Sequence, residues 1–209
     1  MIAYANAWSV KQSKVMSMTE IDSILSDLTP KSRKNRQNLV KLVIFRLATY
    51  CGLRVTEMTL LNMGDVHLDC EQPFVRIRAE TSKGKKCREV PIYSEGTVND
   101  LRVWVAIRLE MGADPHSPFL VSVSSDALGK RFTRHGARLR FQSACKVLGE
   151  ERARGLSIHC GRHTACSFLL HRQIPIAIVR DLMGHSSLSV TNVYAGAFRD
   201  RNAMRYSLD

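Results

Sequence analysis

The amino-acid sequence predicts an α+β fold, a mainly helical domain with one small antiparallel β-sheet. Three observations lead there. Most of the chain falls into stretches whose apolar positions recur at helical spacing, on both sides of a short middle segment. Within that segment Phe74-Val75-Arg76-Ile77-Arg78 alternates apolar and basic residues, and a second short run, Cys87–Ile92, follows across a Ser-Lys-Gly-Lys turn. Finally, 209 residues with 44% hydrophobic and 24% charged side chains have the composition of a globular chain with a sizeable core, and the length of about one domain.

The elements follow in order. Residues 1–16 lack clear periodicity and read as an N-terminal arm or linker. Ser17-Met18-Thr19-Glu20 has the form of a capping box, with Met16 and Ile21 placed as its hydrophobic staple, and opens a helix to about Leu28, before Pro30. A second helix begins near Gln37. Leu39, Leu42, Val43, Leu47 and Tyr50 mark one of its faces, while Ile44 and Phe45 fill others, so it is expected to be central and buried. Gly52 suits its C′ position. A short helix over Val55–Leu61 precedes a weak first strand at Asp65–Asp69, and the two stronger runs complete the sheet. Beyond Pro91 the chain turns helical again. Val98, Leu101, Val105 and Leu109 mark one helix, and Phe141, Ala144, Cys145 and Leu148 another. Helices near Ile158–Leu170, Pro175–Met183 and Leu188–Tyr194 follow.

The chain carries 31 Lys+Arg against 19 Asp+Glu, a formal charge of +12. Residues 1–100 hold 15 basic and 11 acidic groups, whereas residues 101–209 hold 16 and 8. Two windows contain no acid at all: Lys31–Arg46, with Arg33, Lys34 and Arg36, and Lys130–Lys146, with Lys130, Arg131, Arg134, Arg138 and Arg140. Such clusters release condensed counterions when they meet phosphates, so a polyanionic partner is expected. A membrane surface is disfavoured, since neither window combines its cations with a Trp- or Phe-rich face. No run of about 18 apolar residues exists to span a bilayer. The start Met-Ile-Ala-Tyr-Ala-Asn-Ala-Trp lacks the basic n-region and apolar length of a signal peptide. A soluble, cytoplasmic and nucleoid-associated protein is expected, its six cysteines reduced and mostly packing residues in the absence of any Cys-x-x-Cys pair.

Four stretches carry candidate chemistry. In Gly52-Leu53-Arg54-Val55-Thr56-Glu57, Arg54 and Glu57 are three apart on one helical face; they are either a helix-start salt bridge or a guanidinium held for a phosphate, to which its planar fork is suited. In Ser82-Lys83-Gly84-Lys85-Lys86, a basic hairpin tip is either a solvated turn or a source of a proton beside DNA. In Ile158-His159-Cys160-Gly161-Arg162-His163, His159 and Arg162 share a face. His159 and His163 also have a zinc-pair spacing, but Cys-Gly-Arg lies between them where a zinc hydrolase has its glutamate, and the arginine would repel a cation. In Leu182-Met183-Gly184-His185-Ser186-Ser187-Leu188, a helix–glycine–helix reads alone as a helix-turn-helix, and Tyr194 as a core-edge aromatic.

Taken together, Arg-x-x-Glu, a hairpin lysine, His-x-x-Arg and Gly-His-Ser-Ser with a tyrosine nine residues after the histidine resemble the catalytic domain of the tyrosine recombinases, the phage-integrase family, over about residues 17–196. The resemblance implies a domain over 17–196 and a C-terminal tail over 197–209. It implies that Arg54 and Arg162 clamp the scissile phosphate and that Glu57 supports Arg54. It further implies that Lys83 protonates the 5′-hydroxyl leaving group, with Lys85 or Lys86 taking that place under a shifted register. His159 would help move the nucleophile's proton, His185 would hydrogen-bond the phosphate region, and Tyr194 would form a 3′-phosphotyrosyl bond. No cofactor and no metal are implied. The partners are double-stranded DNA, which Arg33, Lys34, Arg36, Lys85, Lys86 and the cations of the 130–146 window would hold, and other recombinase subunits in a synaptic tetramer. A weakly catalytic DNA-binding module and a type IB topoisomerase-like relaxing enzyme are the alternatives. Two departures stand out. Gly161 replaces the usual leucine before Arg162, which predicts looser packing beneath that arginine. Residues 1–16 are too few for the family's N-terminal core-binding domain, so either a catalytic domain alone or a naturally reduced protein is expected.

Overall fold

Helix α1 (Met18–Lys34) is the first α-helix of a computed structural model that describes residues 12–82 and 85–185. Its cap has the expected form: Ser17 Oγ accepts from the Glu20 N–H at 3.2 Å, and Glu20 Oε2 accepts from the Ser17 N–H at 2.9 Å. Met16, Ile21, Ile24 and Leu28 are buried, which fixes the face that α1 turns to the core. The helix does not stop near Leu28, however. It runs through Pro30 to Lys34. Proline removes one intrahelical hydrogen bond, to the carbonyl four residues back, at a cost of ~3 kcal/mol. Packing of the Ile21–Ile24–Leu28 face against the next helix outweighs that loss. Asn35 supplies the stop instead: its extended backbone (φ −147°) ends α1, and its side chain accepts from the Gln37 N–H to start α2.

Helix α2 (Arg36–Thr49) is the axis of the domain. Leu39, Val40, Leu42, Val43, Ile44, Phe45, Leu47 and Ala48 are all buried, on every face, as the sequence pattern required. Around it pack α1, α4 (Glu95–Glu110), α5 (Arg134–Ala144) and α7 (Ile158–His171). Gly52, with φ 61°, lies two residues past the cap residue Tyr50, one later than its expected place, and turns the chain into α3 (Val55–Thr59).

The sheet has the expected antiparallel order β1 (Val66–His67), β2 (Phe74–Ile77), β3 (Arg88–Pro91). Val75 pairs with Val66 on one side and Val90 on the other. Val75, Ile77 and Val90 enter the core, while Arg76 and Glu89 pair outside it at 3.1 Å. The expected first strand, Asp65–Asp69, contracts to two residues because Met63–Asp65 is a 3₁₀ turn.

Helix α4 turns differently from its expected face. Leu109 is exposed at 59% and Val105 is half-buried; the core side is Val98, Leu101 and Trp104, the last with its indole N–H donated to the Phe119 carbonyl at 2.9 Å. A fully buried indole, the largest such side chain, decides the rotation of the helix. After α5 the chain continues as a 3₁₀ turn (Cys145–Leu148) and α6 (Glu150–Gly155), which the sequence pattern did not predict. Then come α7 and α8 (Ile176–Met183). The expected helix over Leu188–Tyr194, the tail and residues 1–11 lie outside the described residues. Among the described residues no helix is long and apolar enough to cross a membrane.

Candidate active site

Three arginines from three separate segments meet on three successive carbonyls at the end of α8. Arg88 on β3 donates Nε to the Leu182 carbonyl at 2.9 Å, Arg162 on α7 donates Nη2 to that of Met183, and Arg54 before α3 donates Nη2 to that of Gly184 at 2.7 Å. The last carbonyls of a helix have no intrahelical partners and carry the negative end of its dipole, so cations collect there. Gly184 makes the arrangement possible. It takes a left-handed conformation (φ 61°), and a Cβ there would sit 3.0 Å from the Arg88 guanidinium. The next N–H, that of His185, returns to the Arg180 carbonyl at 2.9 Å and closes the turn.

Arg54 and Glu57 form the expected pair, but the carboxylate does more than support one arginine. Glu57 is 1% exposed. Its Oε1 accepts from Arg54 Nη1 at 2.8 Å, and its Oε2 accepts from the Arg54 backbone N–H at 2.9 Å and from Arg88 Nη2 at 2.8 Å. Burial pulls the carboxyl pKa up. The hydrogen bond and charge of Arg88, and then the backbone N–H and charge of Arg54, outweigh burial and hold it below the ordinary carboxylate range.

Arg162 is placed by packing. Its Nη1 donates to the Gly52 carbonyl at 2.6 Å, which ties α7 to the end of α2. Gly161, expected to loosen this region, does the reverse. A Cβ at that position would lie 2.9 Å from the Ala48 Cβ and 3.2 Å from Phe141 Cε2. The missing side chain lets α7 lie directly on α2, and the phenyl ring of Phe141 fills the space beside it.

The histidines share the positive field of these arginines. Burial first, then Arg162, Arg54 and Arg88, lowers the His185 pKa to about 4. His163 is also lowered to about 4, by burial and then His159 and Arg162. On the first turn of α7, partial desolvation of His159 and then the charges of Arg138, Arg162 and Arg54 lower its pKa. At neutral pH all three are uncharged imidazoles, and a neutral imidazole can accept a proton. Lys83 and Tyr194 lie outside the described residues. Lys85 and Lys86 follow on the exposed hairpin, where Lys85 takes φ 50°.

The two basic windows join. Burial and then the charges of Arg140 and Lys31 lower the Lys41 pKa, so cations of α1, α2 and α5 face one another. Arg138 extends this face to His159. Arg33, Lys34, Lys130, Arg134 and Arg138 are exposed, and Arg36 reaches Glu110 at 3.4 Å. Arg131 has a different role: Nη1 donates to the Thr59 and Leu61 carbonyls and Nη2 to Asn62 Oδ1, tying the α5 side to the loop after α3. Its guanidinium is thus held by three acceptors of the fold. Arg46 is buried and pairs with Asp100 at 2.8 Å.

Sequence reasoning missed Arg88. The signal was present: alternation along Cys87–Ile92 puts Arg88 on the side of Val90 and Ile92, the inward face, and a cation there requires a partner.

Comparison with known proteins is consistent with this geometry. The sequence profile of the phage integrase family matches residues 14–201. The tyrosine recombinase XerC of Corynebacterium glutamicum is 33% identical over 151 residues, covering 72% of this chain and 44% of that protein. XerC of Neisseria gonorrhoeae is 32% identical over 163 residues, covering 78% and 49%. The chain thus spans about half the length of the curated relatives it matches. Among solved structures, the XerA recombinase aligns with a TM-score of 0.71 at 21% identity, over 98% of this chain and 64% of that one. The XerH recombinase in its post-cleavage complex with difH DNA aligns with a TM-score of 0.71 at 17% identity, over 88% and 50%. At those identities the structural likeness is one of fold.

Proposed function

The chain belongs to the phage integrase family, and from that premise we propose that it cleaves and rejoins DNA strands at specific sites, with Tyr194 as the nucleophile. The Tyr194 oxygen attacks the scissile phosphorus, a 3′-phosphotyrosyl bond forms, and the bond from phosphorus to the 5′-oxygen breaks. Lys83 gives its proton to that oxygen, general-acid catalysis typically worth about 10²–10⁴-fold. A phenol with a pKa near ~10 must lose its proton to attack at neutral pH. His159, uncharged at that pH, accepts it. Arg54 and Arg162 stabilise the charge that develops on the phosphate, and His185 hydrogen-bonds beside them. Attack of a 5′-hydroxyl on the phosphotyrosine reverses the sequence and reseals the strand; no bond energy is lost, so no nucleotide is consumed.

The observation that carries this reading is the convergence of Arg54 and Arg162 on the Met183–Gly184 turn, with a buried carboxylate beneath the first arginine and uncharged histidines on either side. The joined cationic face of α1, α2 and α5 is suited to holding duplex DNA, and other copies of the protein would complete a synaptic assembly on the nucleoid.

A nicked suicide duplex tests the reaction, because loss of a short 5′ fragment prevents resealing. Duplexes with a randomised centre allow the wild-type chain to select its own site. Covalent capture by the wild type and none by Tyr194→Phe is the expected result. Equal capture by the two would overturn the assignment.

A further inference from the structure

Arg88 lies where three parts of the site meet. It sits on β3, the return strand of the basic hairpin, with its side chain 11% exposed. One guanidinium spans two partners: Nη2 donates to Glu57 Oε2 at 2.8 Å, and Nε donates to the Leu182 carbonyl at 2.9 Å. Its remaining nitrogen, Nη1, is buried and has no hydrogen-bond partner among the described residues. Around that nitrogen Gly184 leaves no room for a side chain.

We propose that Arg88 is a positioning residue of the active site: by gripping Glu57 and the end of α8 together, it fixes the angle at which Arg54 faces a DNA phosphate and holds the hairpin strand to the Gly184–His185 turn. The proposal rests on the phosphoryl-transfer reading above. Three features favour it over a purely structural tie. Arg54 and Arg88 divide one carboxylate, so the place of Glu57, and through it that of Arg54, depends on both. The partner carbonyl belongs to the same turn that receives Arg54 and Arg162. And a planar fork is required, since an ammonium on a lysine stem is a single point and cannot serve both partners at their present separation.

Among the described residues, the charged and titratable groups facing Glu57 and the turn are Arg54 before α3, Arg162 and His163 from α7, His185 after α8 and Arg88 itself. Arg88 depresses both the Glu57 carboxyl and the His185 imidazole. Removing its charge therefore raises both, and protonation enters the site at higher pH.

The test compares Arg88→Lys, Arg88→Gln and an outward hairpin control, Arg76→Gln, with wild type. It uses single-turnover covalent capture on the duplex that the wild type selects, a pH profile of that rate, and the folded fraction by circular dichroism. The expected result is a capture rate about 10–100-fold lower in both Arg88 variants while they remain folded and bind the duplex, as loss of a charged hydrogen bond predicts. The acid limb moves up in Arg88→Gln and much less in Arg88→Lys, which keeps the charge. Arg76→Gln matches wild type. Wild-type rates and an unmoved acid limb in the Arg88 variants would overturn the proposal. So would a rate that falls only in proportion to the folded fraction. Failure of the wild type to capture any duplex would instead overturn the functional reading on which the proposal rests.

Discussion

Two of the three arginines that meet at the end of α8, Arg54 and Arg162, are held in opposite ways. Arg54 is held by charge. Its side chain is 21% exposed, and a carboxylate shared with Arg88 fixes it from below. Arg162 is held by shape. It is 5% exposed, it donates to the Gly52 and Met183 carbonyls, and the glycine before it brings its helix against α2. One half of the site should therefore respond to charge and pH, the other to volume. A site built in both ways keeps one arginine adjustable at the surface and the other fixed to the core.

The largest effect is expected from Glu57→Gln, which keeps the shape and removes the shared charge. Two guanidiniums lose their counter-ion inside the fold, and breaking a buried ion pair from one side costs about 3–5 kcal/mol. Urea unfolding measures it; a loss under about 1 kcal/mol would show that the charged half is not held by charge. Gly161→Leu probes the other half. Its Cβ meets Ala48, and overpacking of this kind costs about 1–3 kcal/mol. Ala48→Gly in the same chain should recover part of the loss, since it removes the nearest atom, and the two changes should be non-additive. Full additivity would mean that α7 and α2 are not in the tight contact described.

Much of this was legible in the sequence. The capping box at Ser17 was, because its signal is local. So was α2, whose apolar residues occupy every face, and so was the antiparallel pairing of β2 with β3. The end of α1 was not. Proline is a local stop signal, while the packing that carries the helix past Pro30 is tertiary. The face of α4 depended on where one indole could be buried. The motif residues of the site could be named from spacing, but Arg88 and Arg131 could not be sorted by residue type: both are arginines in basic stretches, and only the acceptors that their guanidiniums find in the fold show what each one ties together.

The smallest effect concerns the histidines, and it separates the two halves by pH. In the unfolded chain an imidazole takes up its proton near pH 6.5, whereas His185 and His163 in the fold resist until about pH 4. Between those values the unfolded state binds more protons, so stability falls as the pH falls from about 6.5 toward about 4, and above 6.5 the contribution is complete. Both side chains are half-buried, so solvent screening holds the effect to roughly 1 kcal/mol or less per histidine. His185→Gln should flatten this part of the stability curve and leave the step below about pH 4.5, where Glu57 takes up its proton in the unfolded state, in place. Gly161→Leu should shift the whole curve downward without changing its slope. If His185→Gln leaves the slope between pH 6.5 and 4 untouched, the arginines around that histidine do not act on it as a common field. The charged half of the site would then reduce to the Arg54–Glu57–Arg88 cluster.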